Sequence, residues 1–235
     1  MWKSEQGFTV NELLVAVAIF SVVLAGAYNA FLSSSQRLVL QNELIEMQTD
    51  ARAAMDFMVR ELRLAFGTPI ITTTATTNDT ITFDRLEDAG SSSGGNTTTT
   101  LHDTRKTWSA SSLTASYTLR IISGTGAGQA RSISAHTSTR LTVSSPWDTP
   151  PDSSSVYVIT RRKAFTRTSA SDNVLRYTAG GSVNQPLADL ITSHTFSQPD
   201  ANMISITLTA QTRNGDPNTQ HKRQYTLAET VLRRN

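Results

Sequence analysis

The chain has 235 residues, of which 38% are hydrophobic, 17% charged and only 7% aromatic. Its 21 basic and 19 acidic side chains leave a formal charge of +2, so composition alone points to neither nucleic acid nor a lipid surface. Cysteine is absent, which excludes disulfides, thiolate metal sites and thiol nucleophiles, and an extracytoplasmic domain must then be held by sheet pairing and packing alone. This length accommodates an anchor helix and one or two modest globular units.

The chain opens on a short polar leader, Met1-Trp2-Lys3-Ser4-Glu5-Gln6-Gly7, followed by Phe8 and a nearly uninterrupted apolar stretch. One carboxylate, Glu12, stands at the head of that stretch. A charge inside a bilayer costs about 2.5–3.5 kcal/mol on insertion scales, so Glu12 requires a compensating partner. Residues 13–32 supply roughly 20 positions, enough to span a membrane. A secretory signal would need a basic amino region and a small-residue cleavage site after its apolar core. Ala25-Gly26-Ala27 imitates such a site, but the apolar run continues to Phe31-Leu32. A plain transmembrane anchor explains the length and leaves the Gly7-Phe8 junction and Glu12 without a role.

The order and spacing of Gly7, Phe8, Glu12 and the apolar run resemble the class III signal peptide of type IV prepilins and pseudopilins. Asn11 stands where that family usually has an aliphatic residue, and Glu5 makes the leader less basic than most. The resemblance implies that a membrane-bound prepilin peptidase cuts between Gly7 and Phe8 and methylates the new amine of Phe8. It also implies that this amine meets the glutamate of a neighbouring subunit, so that Glu12 registers subunits in a filament. Such a pair gains most where water is scarce.

Beyond Leu32 the polar Ser33-Ser34-Ser35-Gln36-Arg37 marks the bilayer exit. Leu40, Leu44, Met47, Ala51, Met55, Met58, Leu62 and Phe66 then recur at three- and four-residue steps, which predicts one long amphipathic helix stopped by Gly67-Thr68-Pro69. Continuous from Phe8 to Phe66, it would be about 90 Å long at 1.5 Å per residue. No small domain covers that length, so the apolar half needs lipid or other subunits. Gly26 lies within it, as a point of softening or of close packing.

From Pro69 onward the sequence predicts strands over 70–77, 80–83, 117–122, 140–143, 156–160, 174–177, 203–210 and 224–227. Ile204, Ile206 and Leu208 alternate with Ser205, Thr207 and Thr209, so one face of that strand is buried. The low-complexity stretch 91–100 reads as a linker or flexible loop. The succession Ile81-Thr82-Phe83-Asp84, Val174-Leu175-Arg176-Tyr177, Pro186-Leu187-Ala188-Asp189, the 204–210 strand and the terminal Thr230-Val231-Leu232-Arg233-Arg234-Asn235 resembles PilW-like minor pilins and J-type pseudopilins. Residues 101–162 exceed that pattern. They read as an inserted β module with Gly124-Thr125-Gly126-Ala127-Gly128-Gln129 near its middle, similar to a short motif of phage tail and surface β proteins.

Other chemistry is declined on spacing. The Gly124, Gly126, Gly128 pattern lacks the following Lys-Ser or Lys-Thr and helix of a phosphate loop, and a glycine hairpin accounts for it. His102-Asp103 stands apart from His136, His194 and His221, so no convergent metal set is expected. Asn214, Asp216 and Asn218 read as a turn rather than a calcium loop. Arg161-Arg162-Lys163 with Arg167 is the densest basic patch and reads as solvated strand ends, with nucleic acid an unfavoured but open partner.

The expected architecture is α+β: a long N-terminal helix, transmembrane in its first half, packed on an antiparallel sheet in a pilin fold with an inserted β-rich module. Residues 1–7 form the leader, 8–32 the transmembrane and assembly helix, and 33–67 the amphipathic helix. Residues 68–100 and 163–235 form the pilin β domain, and 101–162 the module. The expected function is that of a minor pilin or pseudopilin, which primes or joins a type IV pilus or a type II secretion pseudopilus. The alternative is a tip adhesin or DNA-uptake receptor that binds through the module. No catalytic set, cofactor or metal is expected. The expected partners are prepilin peptidase, other major and minor pilins or pseudopilins, an inner-membrane assembly platform and the bilayer. The implied location is a single pass through the inner membrane with a cytoplasmic N-terminus and a periplasmic domain, and then the cell-surface filament.

Overall fold

The computed structural model describes residues 9–73, 79–109, 113, 116–167, 173–180, 184–216 and 219–233. The chain forms two compact units, Met1–Glu46 with Thr212–Arg223, and Met47–Gln211 with Gln224–Asn235. α1 (Val10–Arg63) runs through both. In the first unit its described apolar residues up to Val39 are exposed, and Leu40 is the first buried one. Glu43 there accepts the backbone N–H of Arg213 and, at 3.1 Å, the side-chain amide of Asn214, which fixes the hairpin between the last two strands.

In the second unit Met47, Ala51, Ala54, Met55, Met58 and Leu62 are buried, so the stripe read from 3.6-residue periodicity is the core face of the helix. The helix ends earlier than its periodicity suggests. Leu64 N closes on Glu61 O at 3.1 Å, and Leu64 O accepts Leu86 N at 2.9 Å, so strand pairing captures the chain at once. Phe66 therefore lies in β1 (Ala65–Thr72), not on the helix. Gly67, at φ +69°, sits in the bulge between Phe66 and Ile70 and bends a strand instead of capping a helix.

The remaining strands are β2 (Thr80–Ser91), β3 (Thr100–His102), β4 (Tyr117–Ser123), β5 (Ala130–His136), β6 (Arg140–Val143), β7 (Val156–Thr166), β8 (Leu175–Ala179), β9 (Asn184–Ala188), β10 (Ile191–Asp200), β11 (Met203–Gly215) and β12 (Lys222–Leu232). Nine of the twelve form one sheet in the order β1-β2-β7-β4-β5-β6-β3, with β8 on β7 and β9 on β8. β10-β11-β12 form a separate three-stranded sheet. The architecture is α+β, a long N-terminal helix followed by antiparallel sheets, consistent with the pilin fold.

β7 is the spine of the larger sheet. Along one edge it pairs with β2 from Ile81↔Phe165 to Ser91↔Val156. Its other edge takes β4 over its first half and β8 over its last four residues. Arg162 and Lys163, between which the sequence places a domain boundary, are consecutive residues inside this strand. Two cores share it. On the α1 side, Phe165 lies 6.2 Å from Phe57, 5.7 Å from Phe83 and 5.3 Å from Tyr177, ring centre to ring centre. At the other end Leu101, Leu119, Ile121, Ile133, Leu141 and Trp147 pack with Tyr157 and Ile159.

The stretch 91–100 is not a loose linker. Ser92 N bonds Ser155 O at 2.8 Å, and the Asn96 amide donates to Ser92 Oγ at 2.7 Å and Pro151 O at 2.8 Å. Asn96 Oδ1 accepts His102 N at 2.7 Å. Small hydroxyl and amide side chains, unable to form an apolar core, build a hydrogen-bonded corner instead.

Candidate assembly site

The head of α1 carries the features singled out in the sequence. Gly7 and Phe8 lie outside the described residues, whereas Glu12 is described and stands in the first helical turn. Its Oε2 accepts the backbone N–H and the hydroxyl of Thr9, each at 3.0 Å, and Thr9 Oγ1 accepts Glu12 N at 3.3 Å. This is a capping box: two amides at the helix start, which have no intrahelical acceptor, are satisfied reciprocally. Within a single chain, then, Glu12 already has a local partner. The signal for it in the sequence is the Thr-x-x-Glu spacing of Thr9 and Glu12 ahead of the apolar run.

Behind this cap the helix presents hydrocarbon in every direction. Leu13, Val17, Phe20, Leu24 and Phe31 are all more than half exposed, and no residue of the most apolar window is buried. The hydroxyl of Ser21 is satisfied by the carbonyls of Val17 and Ala18, at 2.9 and 2.8 Å, so it adds no polar demand on the surroundings. The helix continues unbroken through Gly26, whose missing side chain leaves open space rather than a packed contact. α1 is long and apolar enough to cross a membrane.

The basic patch is placed differently from its sequence reading. Lys163 is buried: its Nζ donates to Tyr177 Oη at 2.6 Å and stands 3.9 Å from Glu61 and 3.7 Å from Glu87. Tyr177 Oη in turn donates to Glu61 Oε2 at 3.0 Å, and Arg85 pairs with the same carboxylate at 3.2 Å. Burial lowers the Lys163 pKa despite the two carboxylates, and burial with Glu61 beside it raises that of the Tyr177 phenol. Arg162 pairs with Asp84 at 3.2 Å, and Arg161 lies over the Tyr117 ring at 5.1 Å. Lys163 is thus withdrawn from the surface, whereas Arg162 stays largely exposed beside its Asp84 partner.

The histidine and glycine candidates also resolve into structure. Asp103 is buried and accepts the Tyr157 hydroxyl at 2.9 Å and Arg105 Nε at 3.1 Å. Among the described residues no group of three or more potential ligands could hold a metal. Gly124, Gly126 and Gly128 all have positive φ and form the turn between β4 and β5, followed by a strand and not by a helix. His194 is fully buried, with Nε2 donating to Asp79 O at 2.5 Å, and burial pushes its pKa down to about 4. Asp79 returns a bond through Oδ2 from Phe196 N at 2.9 Å, which ties the start of β2 to β10.

The first unit presents a capped helix whose described apolar residues up to Val39 are exposed, and the described residues offer no assembled catalytic set. Residues 2–28 match the family model of the prokaryotic N-terminal methylation motif. No curated protein and no solved structure matches the chain. The motif and the apolar helix behind it support a class III prepilin signal and a type IV pilin-like or pseudopilin protein.

Proposed function

We propose that this protein is a minor pilin or pseudopilin, inserted once in the inner membrane and drawn from there into a type IV pilus or type II secretion pseudopilus. One observation carries the reading: α1 starts at Val10 inside a methylation motif, with Glu12 in its first turn, and its described apolar residues up to Val39 are exposed. Prepilin peptidase cuts between Gly7 and Phe8 and methylates Phe8. The Thr9 amide and hydroxyl survive that cut, so the capping box persists in the mature chain and holds the Glu12 carboxylate at the helix head. There it receives the amine of Phe8 from a neighbouring subunit, a charge-assisted contact strengthened where water is excluded.

Intact-mass analysis of the protein from its host is expected to give a chain beginning at Phe8 with one added methyl group. A mature start near Ala27, or an intact Met1, would remove the basis for the filament assignment. Glu12→Ala is expected to insert in membranes at least as well as the parent, since a costly charge is removed. Its recovery in sheared filaments, read by immunoblot, should fall. Undiminished recovery would show that Glu12 has no registering role.

A further inference from the structure

Free strand edges invite pairing by other chains, and natural sheets blunt them. β1 is interrupted by Pro69 and by the bulge at Gly67, and β9 contains Pro186. β3 is three residues long, and its His102 carbonyl accepts Ser93 N at 2.7 Å. β10 holds Pro199, and Asp79 engages its His194 carbonyl at 3.3 Å and its Phe196 amide at 2.9 Å. β12 is the outer strand of its sheet and has none of these devices: it contains neither proline nor glycine, and from 224 to 232 its single charge is Glu229.

The direction of the β12 backbone groups follows from its bonds. Arg233 N reaches Asn202 O at 2.9 Å, and the hydroxyl pairs Ser205–Thr230 and Thr209–Thr226, at 3.3 and 3.2 Å, keep one register between β11 and β12. Odd-numbered residues therefore bond to β11, and the N–H and C=O groups of Gln224, Thr226, Ala228 and Thr230 point away from it. Beside this edge lies an open groove of about 800 Å³, lined by Asp56, Val59, Arg60 and Arg63 of α1, by Leu64 just after it, by Glu229 and Leu232 of β12, and by Arg233. An added strand would turn every second side chain toward α1, into that groove.

We propose that β12 is a docking edge that takes an extended segment of a different subunit by strand addition. One apolar side chain enters the groove between α1 and β12 beside Val59 and Leu232, and a carboxylate two residues away meets Arg60 and Arg63. The backbone ladder supplies affinity and the groove supplies selectivity. Direction argues against a second copy. α1 runs alongside β12 in the same sense, since Arg52 Nε bonds Tyr225 Oη at 3.1 Å and Arg63 and Leu232 border the groove further on. With the other edges blunted, two copies would join β12 to β12, and in the antiparallel ladder, the more stable of the two, the α1 segments beside β12 would run in opposite senses. Naming the partner as a filament subunit rests on the function proposed above; strand addition itself does not.

The test uses the full-length chain in detergent micelles and a fluorescent peptide, acetyl-Thr-Val-Thr-Leu-Thr-Asp-Thr-amide, followed by anisotropy. Saturable binding is expected. Ala228→Pro, which removes one outward donor without touching the β11 ladder, should weaken it about tenfold, the worth of a lost backbone bond in a desolvated site. A peptide N-methylated at alternate residues should not bind, which keeps the test decisive if Ala228→Pro disturbs folding. Arg63→Glu should transfer preference to the analogue with Lys in place of Asp. Absence of binding, or equal binding of the N-methylated peptide, overturns the proposal. A parent dimer in sedimentation that Ala228→Pro dissolves assigns the edge to a second copy and overturns the choice of partner. Failure of Phe8 processing with peptide binding intact would remove the filament reading alone.

Discussion

At the scale of single residues, two buried groups set testable energetics. His194 stays neutral in the folded chain, with a pKa near 4, because burial disfavours its charged form. Its ordinary value is about 6.5. Between these values the unfolded chain binds a proton that the folded chain refuses. Stability is therefore complete above about pH 6.5 and falls toward pH 4, by about 3 kcal/mol for a shift of this size. Urea unfolding from pH 7.5 to 4.5 should show that loss, and His194→Gln, which keeps a donor for the Asp79 carbonyl, should flatten the profile. Glu61 is buried among Tyr177, Arg85 and Lys163. Glu61→Ala should cost about 1–3 kcal/mol, since the Tyr177 hydroxyl loses its acceptor while Glu87 remains beside Lys163 and Arg85. The pair Glu61→Met with Lys163→Met should recover much of it, since well-packed apolar groups often replace a buried ion pair without loss. A double-mutant cycle in denaturant measures both.

At the scale of elements, local signals were read well and remote ones were not. The α1 stripe from Leu40 to Leu62 and the alternation of Ile204, Ile206 and Leu208 are properties of adjacent residues, so periodicity alone reveals them. The glycine turn after β4 is equally local. Phe66 belongs to the helical pattern but sits in β1, because Leu86 N takes the Leu64 carbonyl, a partner 22 positions away that no window contains. β10 has weak strand character in its Ser, His and Pro residues and becomes a strand through β11. Nor does the basic composition of 161–163 indicate that Lys163 points inward to Glu61. At the head of α1, Glu12 stands out in the sequence as a lone carboxylate, whereas Thr9 is marked only by its three-residue spacing from it. The turn after β4 supplies a prediction. A Cβ on Gly124 would lie 2.2 Å from Ser154 O at φ +76°. Gly124→Ala should destabilise the chain by about 1–3 kcal/mol. Hydrogen exchange should place the loss around Leu119, Tyr157 and Ile159 rather than around Phe57 and Phe165, because the two clusters are separate.

At the scale of the whole molecule, the strand β7 decides how the segment between β2 and β7 can be removed. Deletion of 101–162 would cut away most of β7 and with it the β2 ladder. Ser91 and Val156 are paired neighbours, so deletion of 92–155 with a tight turn between them leaves that ladder whole. With Tyr157 and Ile159 changed to Thr to suit their new exposure, the shortened chain is expected to unfold cooperatively in thermal melts followed by circular dichroism, and the 101–162 deletion is not. Loop shortening itself has a small entropic effect, so the contrast isolates the strand. If both deletions unfold alike, the segment is integral to one core.

The same pairing of Ser91 with Val156 has a mechanical consequence. Tension applied to the segment between them enters β2 and β7 together, at adjacent ends and along their common axis. It gives neither strand a reason to slide past the other. Yielding then requires shear of the pair against β1 on one side and β8 on the other, with several hydrogen bonds loaded at once. A chain built in this way transmits a pull on that segment into the sheet under α1, instead of unravelling from the point of attachment.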